Sequence, residues 1–398
     1  MVAIATIATH DPLLTTLRGM SDAPGGMLGP LLGADRVAAT LDARAWLHAL
    51  LDVEVALTHA AAGQGLVDDA WQVERAAEEL RDALDPAVLA VEAVEGGNPV
   101  IPLVRRLRAA AGPAGAAVHP GATSQDVMDT ALVLLVRAAT AVIDDDLRGA
   151  ADAAARLAAT HRDTPMAART LGQQALPTTF GLVAAGWCAG LDRARHGLAG
   201  VVGTLPVQFG GAAGTLAASR PHGPAVADAL ADRLGLPRQD VPWHTERSRI
   251  GRLAGALGVA AGACAKPATD VVLLAATEVG EVSESAPGAS SSMPHKRNPV
   301  AAVTARASAR RAPGLVATLL ASADHEHQRA AGPWHAEWPA LTDLLCATGG
   351  AAARLRTCLE GLQVHPEAMA RNLSLTDAGG TPNHAGDLVD RILRGRER

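Results

Sequence analysis

Tyrosine is absent from this 398-residue chain, phenylalanine occurs only at 180 and 209, and lysine only at 266 and 296, so nearly all of its 35 basic residues are arginine. A basic excess is missing too. The net charge of −6 argues against a nucleic-acid footprint, which needs a clustered basic surface. Cysteine is limited to Cys188, Cys264, Cys346 and Cys358, with no CxxC pair. Such spacing predicts reduced core thiols in a cytoplasmic protein rather than disulfides or metal ligands. The stretch from Met1 to Met20 has no basic region ahead of its short apolar run, and no signal peptide is evident. Leu253 to Ala265 is glycine-interrupted and too short for a membrane span, so it reads as a buried helix. Strand-like alternation is nearly absent. So are a Gly-rich phosphate loop, a Gly-x-Ser-x-Gly elbow and a dinucleotide fingerprint.

What the chain does have is helix. Hydrophobic residues make up 48% and charged residues 19%, the proportions of a globular protein. From Asp126 to His161 the only helix breaker is Gly149, and Val127, Ala131, Leu134, Ala138, Val142 and Leu147 recur at helical spacing. Comparable stretches run from Thr178 to Val201, Arg247 to Gly280, Pro299 to Ala323 and Trp338 to Leu362. Helices this long imply a bundle, so the fold class is all-α. Three sections are expected: an N-terminal helical one over 1–117, beginning with a helix from Val37 to Gly63; a central long-helix bundle over 118–362; and a short helical C-terminal one over 363–398. A hairpin is possible around Leu205 to Leu216, with Gly210, Gly211 and Gly214 as turn residues.

Four polar, glycine-bearing segments interrupt the helices. His119 to Asp126 opens the longest one, where Thr123 or Ser124 caps the helix and free N–H groups favour an anion, although an ordinary cap reads the same way. Arg169 to Gly181 offers Gln173, Gln174, Thr178 and Thr179 as carboxylate donors or as turn-makers. Gly288 to Pro299 places Ser290, Ser291 and Ser292 ahead of Met-Pro-His-Lys-Arg-Asn-Pro. A serine hydroxyl acts as a base only if N–H donors and a cation hold its alkoxide, and Lys296 can supply that cation. Asn298 can hold a substrate carboxylate. The fourth segment is His325-Glu326-His327-Gln328-Arg329 followed by Trp334-His335-Ala336-Glu337-Trp338. Its order does not match His-Glu-x-x-His, so no metal is expected there.

In this order the segments resemble the fumarase/aspartase superfamily, whose loop Gly-Ser-Ser-x-Met-Pro-x-Lys-x-Asn is matched from Ser290 to Asn298 with Ala289 in place of the glycine. Within the superfamily the chain is most similar to the bacterial 3-carboxy-cis,cis-muconate cycloisomerases, through Gly97–Leu103, Leu205–Leu216, Pro242–Thr245 and Trp334–Trp338. The resemblance implies a homotetramer with a twenty-helix core, active sites shared between subunits, no cofactor and a di- or tricarboxylate substrate. It implies proton transfer beside a carboxylate through an aci-carboxylate, by Ser290 with Ser291 beside it. Lys296 and Asn298 would bind carboxylate, Thr123, Ser124 and Gln173 would line the pocket, and Arg329 would pair with a substrate carboxylate. Superfamily members that eliminate an amine place a histidine after Arg-Thr, where Leu171 stands here, and a glutamate soon after Asn-Pro, which Ala301 to Arg306 lacks. The C-terminal section is shorter than the superfamily's usual third domain, which helps to cover the site. Two alternatives stay open: a lyase eliminating an amine or nitrite from a substituted succinate, and a non-catalytic helical scaffold.

Overall fold

The computed structural model describes residues 28–289, 292–375 and 379–396. Met1 to Met20 and its expected lack of a signal peptide lie outside them. Two single-turn helices, Gly29–Leu32 and Asp35–Ala38, precede α1 (Ala43–Ala62). The expected continuous helix from Val37 is therefore broken, because Asp42 caps a new start by accepting the Ala45 N–H at 2.7 Å. Then follow α2 (Ala70–Ala83), α3 (Pro86–Gly96) and α4 (Val100–Ala111).

The 37-residue α5 (Ser124–Thr160) spans about 55 Å at about 1.5 Å per residue. An antiparallel hairpin follows, β1 (Pro165–Thr170) with β2 (Gln173–Thr179), and then α6 (Phe180–Val202), α7 (Gly223–Leu234) and α8 (Ser248–Leu274). The chain closes with β3 (Val282–Glu284), α9 (Val300–Ala321), α10 (Pro333–Glu360), β4 (Leu362–Val364), α11 (Pro366–Leu373) and α12 (Ala385–Arg396). β3 pairs antiparallel with β4. Among the described residues the fold is all-helical apart from these two small sheets.

The long helices α5, α6, α8, α9 and α10 stand against one another as a bundle, and α1 leans on α5. Alanine dominates their buried faces, from Ala131, Ala139 and Ala150 on α5 to Ala254, Ala260 and Ala261 on α8, which lets the axes approach closely. All four cysteines are free and buried. Burial pushes the thiols of Cys188 and Cys264 up to about 12 and that of Cys346 up to about 11. α8 continues past Ala265 through Pro267 to Leu274, within the stretch expected from Arg247 to Gly280. It is long and apolar enough to cross a membrane, with a mean hydropathy of 1.4, but its neighbours are α6, α9 and α10.

The hairpin lies at 165–179, not at 205–216. Segment 205–216 cannot form a ladder, because its N–H groups are taken by side chains and distant backbone. Gln208 donates to Thr130 Oγ1, Phe209 to Gln239, Gly210 and Gly211 to Asp126, and Val207 to the Pro237 carbonyl.

Candidate functional site

The sequence-predicted residues collect at two opposite ends of the bundle. At the first end Thr123 is the N-cap of α5 and Ser124 its first residue, both half-buried. Their position is set by Asp126, three residues on. Its buried carboxylate accepts from the N–H groups of Thr123, Gly210 and Gly211, each at 2.9 Å, and lies 2.6 Å from His244 Nε2. The carboxylate therefore ties the start of α5 to the 205–216 segment and to the His244 loop. Gly211 needs its glycine, since its φ is +71° and a Cβ would sit 2.8 Å from the Gly121 carbonyl.

Arg329 reaches this end from the loop between α9 and α10. Its guanidinium donates to Gln125 Oε1 at 3.1 Å, to Gly211 O at 3.2 Å and to Ala212 O at 2.8 Å. It clamps the glycine segment beside Thr123 and Ser124. Behind it lies an ion network that the sequence did not single out. Arg247, fully buried, donates to Asp129 at 2.8 Å and to Glu337 at 3.0 Å, and stacks on Trp243 at 4.9 Å. Burial opposes its charge, but Asp129 and Glu337 outweigh that and hold the guanidinium protonated. Trp334 donates to Asp129 at 3.1 Å, while His335 meets the Gly97 carbonyl at 3.1 Å and packs 4.7 Å from Trp338. The Trp-His-Ala-Glu-Trp segment thus braces both the network and the Gly97–Leu103 segment.

The His325 ring is buried between Glu337 at 3.2 Å and the His244 carbonyl at 3.3 Å, whereas Glu326 accepts the Ala331 N–H and His327 is exposed. The three side chains diverge. Among the described residues no cluster of three or more His, Cys, Asp or Glu side chains is placed to hold a metal ion.

At the second end β1 and β2 meet in a two-residue turn, Leu171-Gly172, with φ of +53° and +79°. Leu171 is fully exposed at its tip and Gln173 is exposed beside it. The hairpin is anchored by Arg169, whose guanidinium donates to both oxygens of buried Glu281 at 2.9 and 2.6 Å. Asn372 on α11 donates to the same carboxylate at 2.8 Å. Glu281 leads into β3, and Glu284 at its end caps α9 by accepting from Ala301 and Ala302 at 3.1 and 2.8 Å. The serine loop is slung between these two points. Gly288 and Asn298 exchange backbone hydrogen bonds at 2.9 and 3.1 Å, and Asn298 Nδ2 also donates to the Gly288 carbonyl at 3.3 Å. A Cβ at 288 would lie 2.2 Å from Val300, so only glycine closes the loop there.

Ser290 and Ser291 lie outside the described residues. Lys296 is exposed, and its amine makes no ion pair or hydrogen bond among the described residues. The other lysine, Lys266, is paired with Asp270 at 2.6 Å on the surface of α8.

Thr123, Ser124 and Arg329 therefore share one end of the chain, while Gln173, Lys296 and Asn298 share the other. The length of α5 separates the two groups. The ion pairs that hold each end, Asp126–His244, Arg247–Glu337 and Arg169–Glu281, join residues about 90 or more positions apart. Local pattern carries no trace of such pairings. Gly210 and Gly211 beside each other were the one visible sign that a carboxylate approaches the backbone there.

The model of a lyase family matches residues 34–314. A 3-carboxy-cis,cis-muconate cycloisomerase from Bradyrhizobium diazoefficiens is 46% identical over 367 residues, covering 90% of this chain and 81% of that protein. A nitrosuccinate lyase from Streptomyces davaonensis is 43% identical over 366 residues, covering 88% of this chain and 77% of that protein. Among solved structures, the 3-carboxy-cis,cis-muconate lactonizing enzyme from Pseudomonas putida superposes with a TM-score of 0.82 at 37% identity, over 94% of this chain and 88% of that one.

Proposed function

Since this chain belongs to the lyase family, we propose that it is a cycloisomerase interconverting 3-carboxy-cis,cis-muconate and a carboxymuconolactone. The observation that carries this reading is the likeness to the bacterial cycloisomerases across most of the chain. It is joined by the exposed Leu171 at the hairpin tip, where an amine lyase needs a proton-carrying side chain.

In the lactone-forming direction a substrate carboxylate oxygen adds to an alkene carbon and forms one C–O bond. The π electrons move into the conjugated carboxylate, giving an aci-carboxylate. Ser290, with Ser291 beside it, delivers its hydroxyl proton to the neighbouring carbon and recovers one from water. One proton is consumed for each trianion closed. In reverse the serine alkoxide removes that proton and the carboxylate leaves. Lys296 and Asn298 bind the carboxylate on which charge builds, the interaction that lowers the barrier. Thr123, Ser124, Gln173 and Arg329 hold the remaining carboxylates. The reaction involves no bond change that calls for a cofactor.

We further propose a homotetramer with sites shared between copies. One copy holds its carboxylate donors at opposite ends, so a complete site takes the first end from one chain and the second from others. The faces that remain open suit such assembly. Gly186, Gly190 and Gly197 on α6, and Gly255 and Gly262 on α8, face open space, and Val259 and Leu273 are exposed. Small residues on long helices let the helices of another copy approach. Buried free thiols support residence in a reducing cytoplasm.

A second reading is elimination of nitrite from nitrosuccinate, favoured by the Streptomyces davaonensis relative. It begins with the same proton removal but releases fumarate and nitrite. Incubating the purified protein with each compound separates the two. The cycloisomerase reading predicts saturable loss of diene absorbance from 3-carboxy-cis,cis-muconate. Release of nitrite and fumarate from nitrosuccinate, with the muconate untouched, would replace it by the second reading.

A further inference from the structure

One buried carboxylate at the first end serves none of the roles above. Glu54 lies on α1 with no exposure to solvent. Its Oε1 is 2.7 Å from His119 Nδ1, and its Oε2 is buried with no hydrogen-bond partner among the described residues. A buried, half-satisfied carboxylate is costly unless the group it meets carries positive charge.

The His119 backbone is strained to match. Its φ of +61° is a conformation that a non-glycine residue adopts at a cost of roughly 1 kcal/mol or more. The ring lies against Glu54 in this conformation. With Nδ1 committed, Nε2 makes no hydrogen bond among the described residues. His119 and Ser124 border an open cavity of about 430 Å³, which Ile101, Arg105 and Arg108 of α4 also line.

We propose that Glu54 is a positioning residue that holds the His119 ring as a cationic donor at this cavity, where it takes one carboxylate of the polycarboxylate substrate. This rests on the reading of the substrate given above. It adds a binding residue beside Thr123 and Ser124, and a buried partner that keeps it charged.

Every element packed around the ring enters the charge balance. Burial works against the imidazolium. Glu54 from α1 opposes that most strongly, Asp126 from the first turn of α5 adds to it, Arg108 from α4 counts against it, and the outcome is a raised pKa. The sign follows. Carboxylate binding by His119 is complete at low pH and is lost as pH rises through this raised value. Without Glu54 the burial effect is left in charge, and the loss moves to lower pH.

The test is Glu54→Gln, read in two ways. In ligand-free protein, imidazole NMR should show His119 titrating above the ordinary value of about 6.5, and below it in the variant. With 3-carboxy-cis,cis-muconate, KM should rise about tenfold near neutral pH, its rise with pH should begin earlier, and kcat should change less. A purely structural role for Glu54 would lower the melting temperature and the active fraction without moving the titration. If Glu54→Gln does not fold, His119→Gln serves instead: it should raise KM about tenfold and flatten its pH dependence.

Tricarballylate supplies a readout without turnover, since its binding should raise the His119 pKa further. If muconate is not consumed but tricarballylate still shifts His119, the carboxylate subsite stands and the assigned reaction fails. If muconate is consumed while Glu54→Gln and His119→Gln leave KM and its pH dependence unchanged, the proposal is overturned.

Discussion

Replacing Lys296 by Met is expected to lower kcat/KM about a thousandfold, roughly 4 kcal/mol of transition-state stabilisation, while the melting temperature moves by about 1 °C or less. The two effects separate because of where the side chain stands. Lys296 is exposed on the loop bridged by Gly288 and Asn298, and its amine is committed to nothing among the described residues. Removing it costs the folded chain little. The aci-carboxylate, by contrast, needs a positive charge close to the carboxylate that gathers electrons. Lys296→Arg is expected to recover only part of the rate, because a planar fork does not replace a compact ammonium. Steady-state kinetics with thermal melts check both halves. A large fall in melting temperature with little change in kcat/KM would make Lys296 a structural residue.

At Arg247 the main effect is expected on stability. Arg247→Met should destabilise the protein by about 3–5 kcal/mol, because Asp129 and Glu337 would remain buried without the cation they share. Activity should fall with the folded fraction, and further, because Gln125 links this network to Arg329. Its Nε2 donates to Asp129 at 3.1 Å and its Oε1 accepts from Arg329. Combining Arg247→Met with Asp129→Asn and Glu337→Gln should restore part of the lost stability by removing the unpaired charges. Urea unfolding of the single and triple variants measures this. Equal stability of Arg247→Met and the unaltered protein would show that the triad does not hold this end together.

How much of this was readable beforehand follows a physical division. α5 was legible almost to the residue, because an uninterrupted amphipathic period with a Thr-Ser cap is a local signal. The Gly288–Pro299 loop was legible because its residue types are improbable as a linker. The β1–β2 hairpin was not. Met166 and Ala167 are buried side by side, the register shifts between Ala167 and Arg169, and so the alternation that marks a strand never develops. The 205–216 segment misled in the opposite way. Its glycines look like turn residues, but they serve to bring backbone N–H groups onto Asp126. The Glu54–His119 and Arg247–Glu337 pairs were invisible because each joins elements far apart in the chain, and nothing local distinguishes a buried charge from a solvated one. Arg329 was anticipated as a substrate ligand. Its guanidinium is in fact already engaged with Gln125, Gly211 and Ala212, so it also fixes the shape of the site.

The central claim is that the two ends, separated by the length of α5 within one chain, meet in one site across copies. Mixing Lys296→Met with Arg329→Gln protein, dissociating the mixture and reassembling it tests this directly. Each variant alone should be nearly inactive. If every site draws Arg329 and Lys296 from different copies, reassembly at equal amounts should restore about a quarter of the unaltered activity, since both contributions are then intact by chance in about one site in four. If activity stays at the level of the separate variants although mixed oligomers form, the two ends do not complete each other's sites and the account of a shared site is wrong.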